Sequence, residues 1–350
     1  MPNAVLAGRA RSAIVALVEI LRRDGKKYSV VLPENICPAV ATSIKAAGGR
    51  IVPVAVSPKT GLPSDEDYLE KINNIDGDGM FMPTYLYGFF AQYPKSIKQA
   101  KKRAWFVLEN DTSATCSNLV GSANALARGC DGLLVSFGYA KPVEFGVGGA
   151  ILLHDVDLAK EIAARIATYP IIDPVAETLE EECMLARRKF RQAGDENISV
   201  KLTEVITQEE NLTRFSLSPE QSNALLETLS GMGALTKQRL ELLNLWDGAL
   251  APLNSALLPV ALPQPMPWRV IRVVENNRNK YANALREAGF DAGVNYPSLW
   301  GQVPEGYLTG EKPDSDPWGD TVLNLWLSND YNAERINQAA AILQKVMDDE

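Results

Sequence analysis

Over the first half of the chain, short apolar bursts alternate with stretches in which apolar residues recur at helical spacing. Tyr28–Leu32, Ile51–Val56, Gly79–Tyr85, Ala104–Leu108, Leu133–Val135 and Ala150–Leu153 are too short for helices and too apolar for loops, so they predict buried strands. Between them, Ser12–Arg23 places Ile14, Leu17, Val18 and Leu21 on one helical face. Pro38–Ala47, closed by Gly48-Gly49, Asp65–Ile72 and the basic Pro94–Arg103 predict further helices. Strands alternating with helices imply an α/β fold whose sheet is parallel or largely parallel and covered on both faces. In such sheets ligands sit beyond the carboxyl ends of the strands.

The pattern then changes. Val156–Ala167 and Thr178–Gln192 run from acidic to basic, as solvated helices do. Pro219–Leu250 predicts a long helix interrupted at Gly231 and Gly233, suited to bridge two lobes. Leu257–Pro267 carries prolines at 259, 263, 265 and 267, with Pro252 just before it, and reads as a linker. Arg269–Val274, the helix Lys280–Ala288, Thr321–Leu327 and the helix Ala333–Met347 predict a small α+β lobe. The expected division is a large α/β domain over 1–215 and a bridging helix with a small domain over 216–350.

Composition narrows the chemistry. A chain of 350 residues exceeds the usual single domain, and 46% apolar with 22% charged residues is ordinary for a globular protein. The net charge is −8, and no basic cluster exceeds Lys101-Lys102-Arg103, which argues against nucleic acid or an anionic membrane as partner. No apolar run reaches the roughly 18 residues of a membrane span, and Met1–Arg9 lacks the basic and apolar regions of a signal peptide. The four cysteines (37, 116, 130 and 183) are scattered without a Cys-x-x-Cys, which points to reduced thiols in the cytoplasm. The single histidine, His154, excludes histidine-rich metal sites and leaves Ser-His or Cys-His catalysis one residue to draw on. Its position at a strand end suits a residue with no catalytic role.

Lys141 is the residue that asks for a function. It falls between the apolar runs Leu133–Val135 and Ala150–Leu153, after Ser136-Phe137 and before glycines 146, 148 and 149. Desolvation disfavours the charged form of such a lysine, and a neutral lysine amine is a nucleophile toward aldehydes. Pyridoxal phosphate is the usual protein-bound aldehyde, and it also needs a carboxylate to keep its pyridine nitrogen protonated. Asp111, at the end of the Ala104–Leu108 strand, suits that role. The phosphate needs backbone N–H groups at a helix start together with hydroxyls; Gly8 to Ser12 and Ser136 suit it.

These segments resemble the DegT/DnrJ/EryC1/StrS family, the sugar aminotransferases of the aspartate-aminotransferase fold. The resemblance runs through Ala7-Gly8-Arg9, Val30–Pro33, Pro83–Gly88, Leu108–Asp111, Val135–Lys141 with Gly148-Gly149-Ala150, Ser218–Gln221, Leu285–Gly289 and Gly293–Pro297, nearly the whole chain. It implies a type I pyridoxal 5'-phosphate transferase fold in which Lys141 holds the cofactor aldehyde, Asp111 the pyridine nitrogen, and Ser136 with Gly8, Arg9 and Ala10 the phosphate. It also implies a homodimer in which Arg214 reaches the neighbouring subunit's cofactor. The expected reaction moves an amino group from an amino-acid donor to a keto sugar attached to a nucleotide. An elimination on the same scaffold, and a non-catalytic relative that binds a ligand or partner, stay open.

Several positions depart from the family pattern. Only seven residues precede Gly8, so the extended arm is almost absent, and Gly8-Arg9 stands where Gly-Thr is usual. Cys37 replaces a ring-stacking aromatic, Ala114 a glutamine, Ser216 the arginine of an Asn-x-Arg element, and Asn295 the histidine of a His-Tyr-Pro element. The lysine and aspartate persist while the shell around them has changed.

Overall fold

Seven strands form one sheet: β1 (Asn3–Ala7), β2 (Tyr28–Pro33), β3 (Arg50–Val54), β4 (Asp78–Phe81), β5 (Phe106–Asn110), β6 (Gly132–Ser136) and β7 (Gly149–Leu153), in the spatial order β1-β7-β6-β5-β4-β2-β3. The computed structural model describes residues 3–22, 27–113, 129–193, 198–265 and 267–349. Strands β6, β5, β4, β2 and β3 are parallel, as their alternation with helices requires. Helices α1 (Ala10–Leu21), α2 (Pro38–Ala46), α3 (Asp65–Asn73) and α4 (Pro94–Lys102) connect or flank them. Ile14, Leu17 and Val18 of α1 are fully buried beneath the sheet, and a capping box between Ser64 and Asp67 starts α3.

The sheet departs from the expected pattern at β7, which runs antiparallel to β6. A parallel return needs a crossover, usually a helix, whereas residues 137–148 form a glycine-rich connection without one. β1 was not foreseen in the sequence. It pairs antiparallel with β7 and therefore runs in the same direction as β6. The C-terminal ends of β1, β2, β4, β5 and β6 thus share one edge of the sheet, and the end of β7 lies at the other.

Helices α5 (Val156–Ile166), α6 (Pro174–Ala193) and α7 (Ile198–Asn211) follow; α6 and α7 pack against each other, and α7 also meets α2. The expected long helix is two: α8 (Pro219–Leu229) and α9 (Met232–Leu250), broken at Ser230-Gly231, with Gly233 absorbed into the second. Leu225 of α8 packs on Leu133 and Val135 of the large sheet, while Leu242, Trp246 and Leu250 of α9 enter a separate core. That second core covers one face of a four-stranded sheet ordered β10-β11-β9-β8, with β8 (Leu258–Pro259), β9 (Val270–Val273), β10 (Ala292–Gly293) and β11 (Val322–Leu325). Helices α10 (Arg278–Glu287) and α12 (Ala333–Asp348) complete it, and the short α11 (Pro317–Thr321) precedes β11.

One piece of the C-terminal half returns to the large lobe. Leu299, Val303 and Leu308 are buried in the core around α1 and β2. Leu299 N–H donates to the Glu34 carbonyl at 2.7 Å, and Thr309 N–H to the Ile51 carbonyl at 2.8 Å. Residues 298–309 therefore strap the small lobe across the large one. No helix among the described residues is long and apolar enough to cross a membrane.

Candidate active site

Strand direction brings the candidate residues to one edge. Asp111 follows β5, is fully buried, and donates its backbone N–H to the Leu134 carbonyl at 2.9 Å. Ser136 ends β6, and Lys141 lies on the connection that follows, which closes on itself through a bridge between Gly138 and Gly146. Gly8 and Arg9 lead out of β1 at the same edge, with Gly148 N–H donating to the Gly8 carbonyl at 2.8 Å. His154 follows β7 and sits at the opposite edge. Two clefts lie at that opposite edge as well, lined in part by Tyr28, Asp131 and His154, remote from Lys141.

The start of α1 is pressed onto Gly149. A Cβ there would stand 2.3 Å from Ala10 N, so only glycine lets the helix approach. Arg9 is the N-cap and makes no side-chain cap bond, which leaves the first-turn amides without a side-chain acceptor. The space above Gly138 is bounded by Ser136 Oγ, the Gly146 carbonyl and Arg9 Nη1, at 3.7, 3.9 and 4.0 Å from where a Cβ would stand, and Arg9 Nη1 takes up that carbonyl. A helix start, a hydroxyl and a guanidinium around one gap suit a phosphate.

Arg9 is held within the chain. Its Nε and Nη2 donate to Glu180 Oε2 at 3.0 and 2.9 Å, and Nη1 donates to the Gly146 carbonyl. Arg11 bonds the other oxygen of Glu180. Arg187 pairs with Glu209 nearby; burial raises the Glu209 carboxyl, against the pull of Arg187 and Arg11. Arg214 lies away from the edge: it donates to Glu19 near the far end of α1 (2.6 Å from Nη2) and to the Ala46 carbonyl (2.9 Å). A role at a neighbouring copy's cofactor requires Arg214 to leave both.

Lys141 has different surroundings. The residue keeps some surface, but its amine lies 5.4 Å from the Trp268 ring centroid. Burial lowers its pKa below the ordinary lysine value; Cys37 opposes that and the Arg269 charge adds to it. Trp268 stacks between Tyr87 and Tyr296, with ring centroids 6.0 Å apart in each pair. Tyr87 Oη accepts from Tyr296 N–H and Trp318 Nε1, at 2.9 and 3.1 Å, and Trp268 Nε1 donates to the Ala140 carbonyl. Burial raises the Tyr296 phenol, and Cys37 at the N-terminus of α2 adds to it. The wall facing the lysine is thus aromatic and supplied largely by the small lobe.

That wall escaped sequence reasoning. Trp268-Arg269 opens an apolar strand directly after a proline cluster, and a cation in that position is the signal that was available. Of the family departures, Ser216 Oγ donates to the Tyr169 carbonyl at 3.0 Å, and Asn295 N–H donates to Asn324 Oδ1 at 2.7 Å. Ala114 lies outside the described residues.

A profile of the DegT/DnrJ/EryC1/StrS aminotransferase family matches residues 4–344. The chain belongs to this family. It is a pyridoxal-phosphate-dependent aminotransferase with the type I fold. No curated protein matches its sequence. Among solved structures, the chain is similar to Helicobacter pylori PseC, an aminotransferase of pseudoaminic acid biosynthesis, at TM-score 0.74 and 15% identity over 99% of this chain and 87% of that one. NtdA from Bacillus subtilis, solved with the cofactor PMP, matches at TM-score 0.68 and 17% identity over 99% of this chain and 73% of that one. DesI, solved with its TDP-sugar product, matches at TM-score 0.70 and 16% identity over 98% of this chain and 80% of that one.

The donor set of this DegT-family site fits pyridoxal phosphate. A desolvated lysine amine, a fully buried aspartate at the neighbouring strand end, and an uncapped helix start beside a serine are what its aldehyde, ring nitrogen and phosphate need.

Proposed function

We propose that this aminotransferase moves an amino group from an amino-acid donor, glutamate foremost, to a keto sugar attached to a nucleotide. The observation that carries the reading is the Lys141 amine, its pKa lowered by burial, at the same sheet edge as the buried Asp111. The sugar acceptor is supported by PseC and the nucleotide by the TDP-sugar product held by DesI. Bound pyridoxal phosphate supplies an electron sink. The chain's own residues do the rest. Lys141 would hold the aldehyde carbon, and its amine would carry the proton away from the donor's α-carbon. Asp111 keeps the ring nitrogen protonated, and the start of α1 with Ser136 and Arg9 anchors the phosphate. Four scattered cysteines without a Cys-x-x-Cys accord with a cytoplasmic enzyme, and a homodimer is the expected assembly.

The test is a two-step titration of the purified holoenzyme. Glutamate should abolish its visible absorbance band, and a keto nucleotide sugar should restore it with formation of the amino sugar. A band that no amino acid alters overturns the reading.

A further inference from the structure

Most arginines near the start of α1 and along the large lobe have a carboxylate in contact. Arg269 does not. It is 4% exposed, and among the described residues no carboxylate lies within ion-pair distance. Its hydrogen bond to a protein group is from Nη1 to the Trp268 carbonyl at 3.3 Å. The guanidinium instead lies over two indole rings, 4.9 Å from the centroid of Trp268 and 4.0 Å from that of Trp326. Burying a cation without a counter-ion is costly, and stacking on aromatic faces offsets only part of it. Desolvation accordingly lowers the Arg269 pKa to about 10.

The register of the small sheet shows where this charge faces. Val270 pairs with Leu325 and Ile271 with Asn324, so residues 269 and 271 share a face with 324 and 326. Val270, Leu323 and Leu325 belong to the core against α9 and α12. Ile271 and Val273 pack instead with Tyr87, Trp268 and Trp318, on the side of the large lobe. Asn324 is 2% exposed; its Oδ1 accepts from Asn295 N–H, and its Nδ2 is buried without a hydrogen-bond partner. Two buried groups with donor capacity, one fully charged, therefore lie on the face turned toward Lys141, whose amine touches the same indole as Arg269.

We infer that Arg269, assisted by the Asn324 amide, receives the α-carboxylate of the amino donor. This rests on the aminotransferase reading and names the group that orients the donor. The α-carboxylate is one bond from the carbon that carries the reacting amine, so it must lie within a few ångströms of Lys141 Nζ. A diphosphate, separated from the keto carbon by a sugar ring, does not have to. The planar guanidinium fork matches a carboxylate in a way that an ammonium does not.

The experiment uses holoenzyme and the variants Arg269→Gln and Arg269→Lys, with folding checked by near-ultraviolet circular dichroism. Loss of the visible band is followed with L-alanine and with ethylamine, the same amine without the carboxylate. Binding of maleate, a dicarboxylate with no amine, and of TDP is measured by calorimetry. Arg269→Gln should slow the alanine reaction at least about a hundredfold and weaken maleate at least about tenfold. Ethylamine and TDP should change less than about threefold. Arg269→Lys should fall between wild type and Arg269→Gln, and it decides the matter should the glutamine variant not fold. Equal losses with alanine and ethylamine, undiminished maleate binding, or a loss confined to TDP overturns the assignment. Arg269-dependent maleate binding in an enzyme whose band no amine alters would instead sink the aminotransfer reading and leave the carboxylate site standing.

Discussion

Two groups of cations flank the active edge, and they are treated in opposite ways. At the start of α1, Arg9 and Arg11 share Glu180, and Arg187 holds Glu209, so each positive charge has a resident carboxylate. Across the edge, Lys141 and Arg269 lie against one tryptophan with no carboxylate in ion-pair contact among the described residues. The carboxylates near α1 hold the helix start and Arg9 in place beside the gap that suits a phosphate, whereas Lys141 and Arg269, left without one, have pKa values below those ordinary for lysine and arginine.

The comparison can be broken most sharply at Lys141. Lys141→Ala should lose the visible band fixed by borohydride on its peptide and slow turnover by roughly 10²–10⁴, the range for removing a general acid–base. Reduction that labels a different lysine would remove Lys141 from the site. Next in size is the resident carboxylate: Glu180→Gln removes the close partner of two largely buried guanidinium groups and leaves Arg9 only the more exposed Glu177 at 3.8 Å, and urea denaturation should register a loss of about 3 kcal/mol. A loss below about 0.5 kcal/mol would mean that water already screens the cluster. Asp111→Asn should fold normally yet cost at least tenfold in rate, about 1.4 kcal/mol of barrier; an unchanged turnover number would place Asp111 away from the ring.

Smaller effects sharpen the picture. Because burial and the Arg269 charge both favour the neutral amine, Lys141 should react with a small aldehyde at a pH midpoint below the ordinary lysine value of 10.5. The sign follows directly: Arg269→Gln removes a repelling charge and should move that midpoint upward. A midpoint that does not move would mean that desolvation alone sets it. Arg214, whose side chain is 36% exposed against Glu19, belongs with the counter-ion group. Arg214→Ala should cost less than about 1 kcal/mol of stability, and cofactor affinity measured by calorimetry should stay within about threefold. A larger loss of cofactor would show that Arg214 serves a neighbouring copy.

Sequence periodicity marked the strands that lead to Asp111 and Lys141, because a buried strand followed by a polar break is a local signal. The direction of β7 was not local: Ala150–Leu153 is equally apolar either way, and only the helix-free connection 137–148 distinguishes the two. β1 is five residues, Asn-Ala-Val-Leu-Ala, too short for a clear period, and becomes a strand through its edge pairing with β7. Helix α7 places Leu202, Val205 and Ile206 in little more than one turn, a short face to read. The role of Arg269 is less legible still. It depends on which carboxylates fail to come near, and sequence does not display an absence that only folding creates.

The strap over residues 298–309 has a consequence for how a substrate meets this enzyme. Swinging the lobes apart would break the Leu299–Glu34 and Thr309–Ile51 hydrogen bonds and draw Leu299 and Leu308 out of the first core. The separation between Lys141 and Arg269 is therefore set when the chain folds, and the entropy of bringing them together is lost then rather than at encounter. A donor arriving at the crevice finds its contacts already at their working spacing.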